Sequence, residues 1–555
     1  MINKKKGFYL EDYDSNFDYL KKRSRLNISF NRVAFIFFLF SIVGIIFSTK
    51  LVYLGFLYKD LEPTILQKSD FRATILDRDG NILAKSVITT NVGINPKLVI
   101  NKKKLLINLK LIFPNQNFEK ITKKLNGEKF FYIKKKIEYE KLEKLTLLGD
   151  KSIIFENKIS RVYPHGSLFS HIIGQIDEDN NGISGIEKKF DYELRTSNKN
   201  LNLTIDTDLQ FLIREELIKA QDIFNYIGSA AILMDVNNGE IISMISQPDF
   251  DLNKREKIID EKYINRATKG VYEFGSVFKT FTFTAALNEK LIESETEFTD
   301  LEKKIKCGKN TISEYDEKIP SNLTAEQILI RSGNIGSVRI GQRLGIEKFK
   351  SFLSKIGIIN KIYFDIDEIG EPLSFNWGKC KLATVSFGHG ITTTLLQLTK
   401  AYSIITNGGY EVNPTLIIKE KNNYMERKRI LNQGVSSKVN SILRKIVSTK
   451  EGTAEFANVS GYEVGGKTGT AQKTTLGGYK KTRVNTFASV FPTSNPKFAL
   501  VVLLDEPKPN KEYVYKYRDG RPSYKGNWRN TAGWTTVEVV GRIIDSIGPI
   551  LATKY

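Results

Sequence analysis

The sequence predicts an α+β protein in three parts: an N-terminal transmembrane helix, an elongated mixed stem, and a C-terminal domain in which helices flank an antiparallel sheet. Three observations predict it. Residues 33–47 (VAFIFFLFSIVGIIF) carry no charge and follow a basic leader. Two pairs of apolar strand-like runs lie far apart, at residues 230–245 and 485–505. The stretch between them is helical in pattern, and strands at both ends of a helical middle make an α+β domain. At 555 residues the chain exceeds one ordinary core, so at least two domains are expected.

The apolar run resumes after Lys50 as LVYLGFLY, and a lysine near the end of a span can snorkel to the headgroups. Residues 33–57 therefore read as one tilted transmembrane helix. Lys4, Lys5, Lys6, Lys21, Lys22, Arg23, Arg25 and Arg32 precede it. The positive-inside rule makes residues 1–32 a cytoplasmic basic tail and exports the remainder. A cleaved signal peptide is the competing reading, but the leader is long and no small-x-small site follows.

Residues 58–205 read as the stem. Residues 72–84 (RATILDRDGNILA) form a strand, an Asp-Gly turn and a second strand. Lysine-rich residues 102–144 read as solvated helix faces. Residues 206–555 read as one domain, and the texture changes from about Gly228. AAILMDV and EIISMI flank Asn237-Asn238-Gly239, a strong hairpin signal. NTFASVF and FALVVLLD form a second such pair, and residues 535–550 read as a closing amphipathic helix.

The formal net charge of +22 suits nucleic acid, an anionic membrane or an acidic polymer as partner. No compact basic motif with interleaved aromatics occurs, so the surplus is read as a general preference for lysine and no nucleic acid is expected. Cys307 and Cys380 are either reduced or joined in one bridge, and make no disulfide framework. His165, His171 and His389 show no zinc-ligand spacing, so no metal site is expected.

Three short motifs carry the chemistry. In YEFGSVFK, Gly275 permits a tight turn, and Ser276 follows in the first turn of an apolar helix, where free N–H groups favour negative charge. Lys279, three residues on, shares its face. A hydroxyl becomes a nucleophile at neutral pH only beside a base, and a lysine of depressed pKa can be that base. Spacing alone is weak, since Ser494 and Lys497 repeat it in an Asn-Pro turn. The second motif is Ser332-Gly333-Asn334, a capping turn or a proton shuttle beside an amide-holding Asn334. The third, Lys467-Thr468-Gly469-Thr470, is either a glycine-rich turn or a strand edge, where Gly469 lets a substrate backbone approach and the lysine and threonines take a carboxylate. The order Ser276, Ser332, Lys467 within one domain is the set used by penicillin-binding proteins and serine β-lactamases.

With these motifs the chain resembles the class B penicillin-binding proteins, and among them the division-specific peptidoglycan D,D-transpeptidases. Further resemblance lies in RATILDRDGNILA, YPHG, GISGIE, LTIDTDLQ, NRATKGVYEFGS, SFGHGITTTLLQL and LDEP. The resemblance implies a five-stranded antiparallel sheet in a serine acyltransferase domain, with Ser276 as nucleophile, Lys279 as base, Ser332 as proton relay and Asn334 holding the donor peptide. It further implies that Lys467, Thr468, Gly469 and Thr470 bind its terminal carboxylate, and that the N–H groups of Ser276 and Thr470 form the oxyanion hole. It implies D-Ala-D-Ala stem peptides as donor, an amine acceptor, inhibition by β-lactams, a membrane glycan polymerase and other division proteins as partners, and no cofactor. Phe274 and Val277 depart from the Pro and Thr common at those positions, and the segment 392–396 lacks a proline found in many relatives. Glu273 and the compact length favour division over the elongation-specific cousin. A β-lactam-hydrolysing or sensing relative and a non-catalytic division scaffold are the other readings.

Overall fold

A computed structural model describes residues 30–57, 71–254, 261–308, 310–418, 427–475, 478–526 and 529–555. The basic tail before residue 30 lies outside the described residues. Among the described residues the first unit contains one helix, Phe30–Leu57, whose segment Ala34–Tyr53 is long and apolar enough to cross a membrane. At 1.5 Å per residue its 28 residues run about 42 Å, which spans a hydrocarbon core with tilt to spare.

In the second unit the chain begins with the expected hairpin. Strands Ile75–Leu76 and Ile82–Ile94 pair antiparallel across a turn in which Asp77 Oδ1 accepts the N–H groups of Asp79 and Asn81 at 2.9 and 2.7 Å. The long strand also pairs with Ile153–Val162 and Phe131–Lys134, and Leu201–Asn202 completes a five-stranded sheet. The lysine-rich region folds as helices Lys102–Ile112, Phe118–Leu125 and Tyr139–Leu147, with the strand Phe131–Lys134 among them. Their apolar faces close a small core of Leu105, Leu109, Ile121, Leu125 and Leu145 on Val92 and Ile94. Most of the lysines face water, as a strongly hydrated cation must unless paired.

Near its base the stem has no separate core. Ile75, Leu83, Tyr163, Phe169, Ile172 and Ile186 pack into the same cluster as the large domain. The join is held by a buried ion network. Glu187 accepts Arg72 Nε at 2.8 Å and Arg161 Nε at 2.6 Å, and Arg72 Nη1 reaches Asp191 at 2.6 Å. RATIL, RVYPHG and GISGIE, separate in sequence, thus meet at one carboxylate.

The large domain is organised on a sheet in the order Gly465–Thr475, Gly478–Phe491, Phe498–Asp505, Gly228–Asp235, Ile241–Gln247, antiparallel throughout. Every residue of Phe498–Asp505 is buried, so both faces are covered. Helices Thr207–Phe224 and Thr536–Lys554 pack on each other and on the sheet, while Leu395–Thr406 packs on its central strands. Asp206 caps the first of these by accepting Leu209 N–H at 3.0 Å.

Cys307 and Cys380 form a disulfide, with Cα atoms 5.4 Å apart and a sequence separation of 73. It fastens the hairpin Lys304–Cys307/Asn310–Ser313 to the start of helix Lys379–Val385. Closing so long a loop restricts the unfolded chain, and its reduction is expected to lower stability by roughly 2–4 kcal/mol. Thermal unfolding with and without dithiothreitol measures this, and a Cys307→Ala/Cys380→Ala variant should be insensitive to the reductant.

Candidate active site

Ser276 lies in a 3₁₀ turn, Gly275–Phe278, and the α-helix Lys279–Asn288 continues from it. The sequence places Ser276 in the helix's first turn, but the tighter turn comes first and α geometry begins at Lys279. Gly275 has φ +56°, and a Cβ there would stand 2.7 Å from the carbonyl oxygen of Thr470. Only glycine fits. The helix behind the turn is anchored by burial of Phe278, Phe281 and Phe283, and by Tyr402, whose hydroxyl donates to Val277 O at 3.0 Å. Ser276 itself remains half-exposed. Phe274 and Val277, the two departures in this motif, are both buried.

Edge strand Gly465–Thr475 presses against the same turn. An ideal Cβ on Gly469 would lie 2.1 Å from Phe274 O and 2.5 Å from Val277 Cγ2. From its sequence this glycine is expected to admit a substrate backbone. The backbone that comes close is the chain's own, so Gly469 is needed to seat the strand against the serine turn. The motif is strand, not hairpin turn, and Lys467, fully buried, points inward from it.

Ser332-Gly333-Asn334 joins helices Ala325–Ile330 and Asn334–Leu344, with Ser332 at φ +61°. Its hydroxyl receives Lys467 Nζ at 2.8 Å and Lys279 Nζ at 3.2 Å. Lys279 Nζ also donates to Ser332 O at 2.5 Å and Asn334 Oδ1 at 2.7 Å. Ser276 is not among its three acceptors. Lys467 Nζ further reaches Thr468 O at 3.2 Å, the Thr468 hydroxyl meets that of Thr453 at 2.7 Å, and Thr470 Oγ1 accepts Ala532 N–H at 2.9 Å. Thus Lys279, Ser332, Asn334 and Lys467 share one hydrogen-bonded network, and Thr470 and Gly469 flank the turn that bears Ser276.

Both lysines are desolvated. Burial brings the Lys279 ammonium down to about 7, against the opposing pull of the Glu314 carboxylate. Burial, aided by the charge of Lys279, holds Lys467 well below the usual lysine range. A lysine that is neutral near pH 7 can accept a proton, which an exposed one cannot. Ser494 and Lys497, the decoy pair, lie in the sheet's outer turn, with Lys497 Nζ on Tyr555 O at 3.3 Å.

Two residues beside the network escape sequence reasoning. Glu314 receives the N–H groups of Asn334 and Ile335 at 2.7 and 2.8 Å, and the Tyr315 ring stands 5.9 Å from Lys279 Nζ. They sit in ISEYDEKIP, a polar stretch whose composition gives no sign of a site. Glu273 is buried next to the turn, with its Oε2 3.6 Å from His389 Nδ1.

Comparison with known proteins agrees with this architecture. Residues 229–521 match the penicillin binding protein transpeptidase domain, and residues 69–221 the penicillin-binding protein dimerisation domain. The chain is similar to the probable peptidoglycan D,D-transpeptidase FtsI of Caulobacter vibrioides (29% identity, covering 87% of this chain and 82% of that one). It is likewise similar to the stage V sporulation protein D of Bacillus subtilis (30% identity, 86% and 82%) and to the FtsI transpeptidase of Escherichia coli (27%, 81% and 81%). In fold it resembles a peptidoglycan synthetase from Bifidobacterium adolescentis, with a TM-score of 0.64 at 21% identity over 87% of this chain and 95% of the other. A transpeptidase-domain match over more than half the chain and the dimerisation-domain match before it place the chain in the penicillin-binding protein transpeptidase family.

Proposed function

We propose that the chain cross-links peptidoglycan during septal wall synthesis, as a D,D-transpeptidase working through an acyl-enzyme on Ser276. The observation that carries the reading is the desolvated Lys279–Ser332–Lys467 network beside a half-exposed serine. Neutral Lys279 takes the Ser276 proton while Oγ bonds to the carbonyl carbon of the penultimate D-Ala. The oxyanion is met by the N–H groups of Ser276 and Thr470. The C–N bond then breaks, and the terminal D-Ala leaves with a proton relayed through Ser332. An amine of a neighbouring stem peptide bonds to the ester carbon and loses its proton to Lys279; the C–Oγ bond breaks, and Lys279 returns the proton to Oγ. Asn334 holds the donor peptide, and Lys467, Thr468 and Thr470 its carboxylate. No cofactor takes part. The functional division is a cytoplasmic tail at residues 1–32, an anchor at 33–57, a stem at 58–205 and the transpeptidase at 206–555. The anchor crosses the inner membrane with its N-terminus in the cytoplasm, where it can meet a membrane glycan polymerase and other division proteins.

The test uses full-length protein in detergent with a fluorescent penicillin, read by intact mass and peptide mapping. One stable adduct on the peptide containing Ser276 is expected. No adduct with the antibiotic intact would favour a scaffold, and no adduct with the antibiotic destroyed a hydrolase.

A further inference from the structure

We propose that Glu314 is a positioning residue of the acylation reaction: its carboxylate fixes the turn bearing Ser332 and Asn334 and thereby the seat of Lys279. The proposal rests on the reading of Ser276 as nucleophile and Lys279 as its base.

The first N–H groups of a helix have no intrahelical acceptor. In helix Asn334–Leu344 the capping position is Gly333, which has no side chain to supply one. Glu314, from a different segment, does so with both oxygens, Oε2 to Asn334 N–H at 2.7 Å and Oε1 to Ile335 N–H at 2.8 Å. Its two neighbours act on the same group. Ser313 O accepts Asn334 Nδ2 at 2.8 Å, which turns the amide so that Oδ1 faces Lys279 Nζ. Tyr315 presents its ring to that ammonium and donates its hydroxyl to Arg331 O at 2.8 Å, at the end of the preceding helix. Three consecutive residues thus hold the turn from both sides.

The turn needs holding. Ser332 is in the left-handed region, unfavourable for a residue with a Cβ, and the strain persists only where the surroundings over-determine it. In that conformation Ser332 O and Oγ both face Lys279, and Oγ faces Lys467. Release of the helix start would let the turn relax and deprive Lys279 of its acceptors together. Glu314 also contributes charge, since it favours the protonated form of Lys279 against burial. The other charged or titratable groups around the segment are Lys467 on the edge strand, Tyr315 and Asp316 beside Glu314, Arg331 after helix Ala325–Ile330, and Arg529 near the C-terminal helix.

The experiment compares wild type, Glu314→Gln and Glu314→Asp as full-length proteins in detergent. The second-order rate constant for labelling by a fluorescent penicillin is measured across pH and normalised to the fraction labelled at the end point. Glu314→Gln loses the charge and one acceptor, so its midpoint is expected to fall by about one pH unit. Its plateau rate is expected to fall about tenfold, as the turn loosens. Glu314→Asp keeps the charge and is expected to keep the wild-type midpoint. A Gln variant with the wild-type midpoint and plateau would overturn the proposal. So would equal losses in Gln and Asp with unmoved midpoints, since the seat of Lys279 would then be unaffected. Wild type that fails to label would remove the nucleophile assignment, and the proposal with it; labelled wild type with an unaltered Gln variant would remove the proposal alone.

Discussion

Lys279→Met is expected to slow acylation of Ser276 by about 10²–10⁴-fold, the usual contribution of a positioned base. Methionine fills the same unbranched, fully buried volume. What is lost is the proton acceptor. In the wild type the acylation rate should rise with pH through about 7, where Lys279 sheds its proton, and fall below it, where the ammonium can accept nothing. The methionine variant should lack that inflection. Stability carries the same signature. Because the folded-state value lies below the ordinary 10.5, the unfolded chain binds more protons between about 7 and 10.5. Stability therefore rises with pH across this window; the contribution is complete above the unfolded value and lost as pH falls through the folded one. Thermal unfolding of the variant should be flatter over that range. Labelling of the variant at the wild-type rate would place the base elsewhere.

Why the serine, the lysines and Asn334 were legible in the sequence, and Glu314 was not, has a physical answer. Ser276 with a lysine three residues on is announced locally, because its glycine and the apolar run after it signal the turn and helix that form there. The hairpins of the sheet are legible for the same reason: alternation and an Asn-Asn-Gly turn are local signals, and the pairing Leu233↔Ser243 follows from them. Glu314 acts across the fold on the N–H groups of a helix about twenty residues away, and nothing in ISEYDEKIP records the helix it caps. Gly469 shows a subtler loss. A strand glycine does admit another backbone here, but the sequence does not say which, and Phe274 O occupies the space. The pairing of Cys307 with Cys380 is also a fact of tertiary structure alone.

Glu187→Ala is expected to destabilise the part of the chain after the apolar helix by about 3–5 kcal/mol, the usual result of removing one member of a buried ion cluster. The Arg72 and Arg161 side chains are 0% and 1% exposed, and both donate to this carboxylate through Nε. Without it Arg72 keeps the half-exposed Asp191 and the carbonyls of Asn180 and residue 187, whereas Arg161 keeps only Arg72 O and Ser86 Oγ. Arg161 is thus the uncompensated charge, and the loss should exceed that of Asp191→Ala, whose removal leaves the Glu187 bridge standing. Glu187→Gln retains the volume and one acceptor and should fall between wild type and alanine. Urea unfolding of the three variants measures the order. Glu187 lies in the short helix Gly185–Lys189, which touches the catalytic domain, with Gly185 N–H on the Glu368 carboxylate at 3.2 Å and Lys189 on Asp367 at 3.0 Å, and Thr268 Oγ1 donates to Glu368 O at 2.6 Å. If the cluster is only a structural join, acylation per folded molecule is unchanged in Glu187→Ala. Slower acylation of the folded variant would instead mean that the stem sets the position of the segment leading to Ser276 through Thr268.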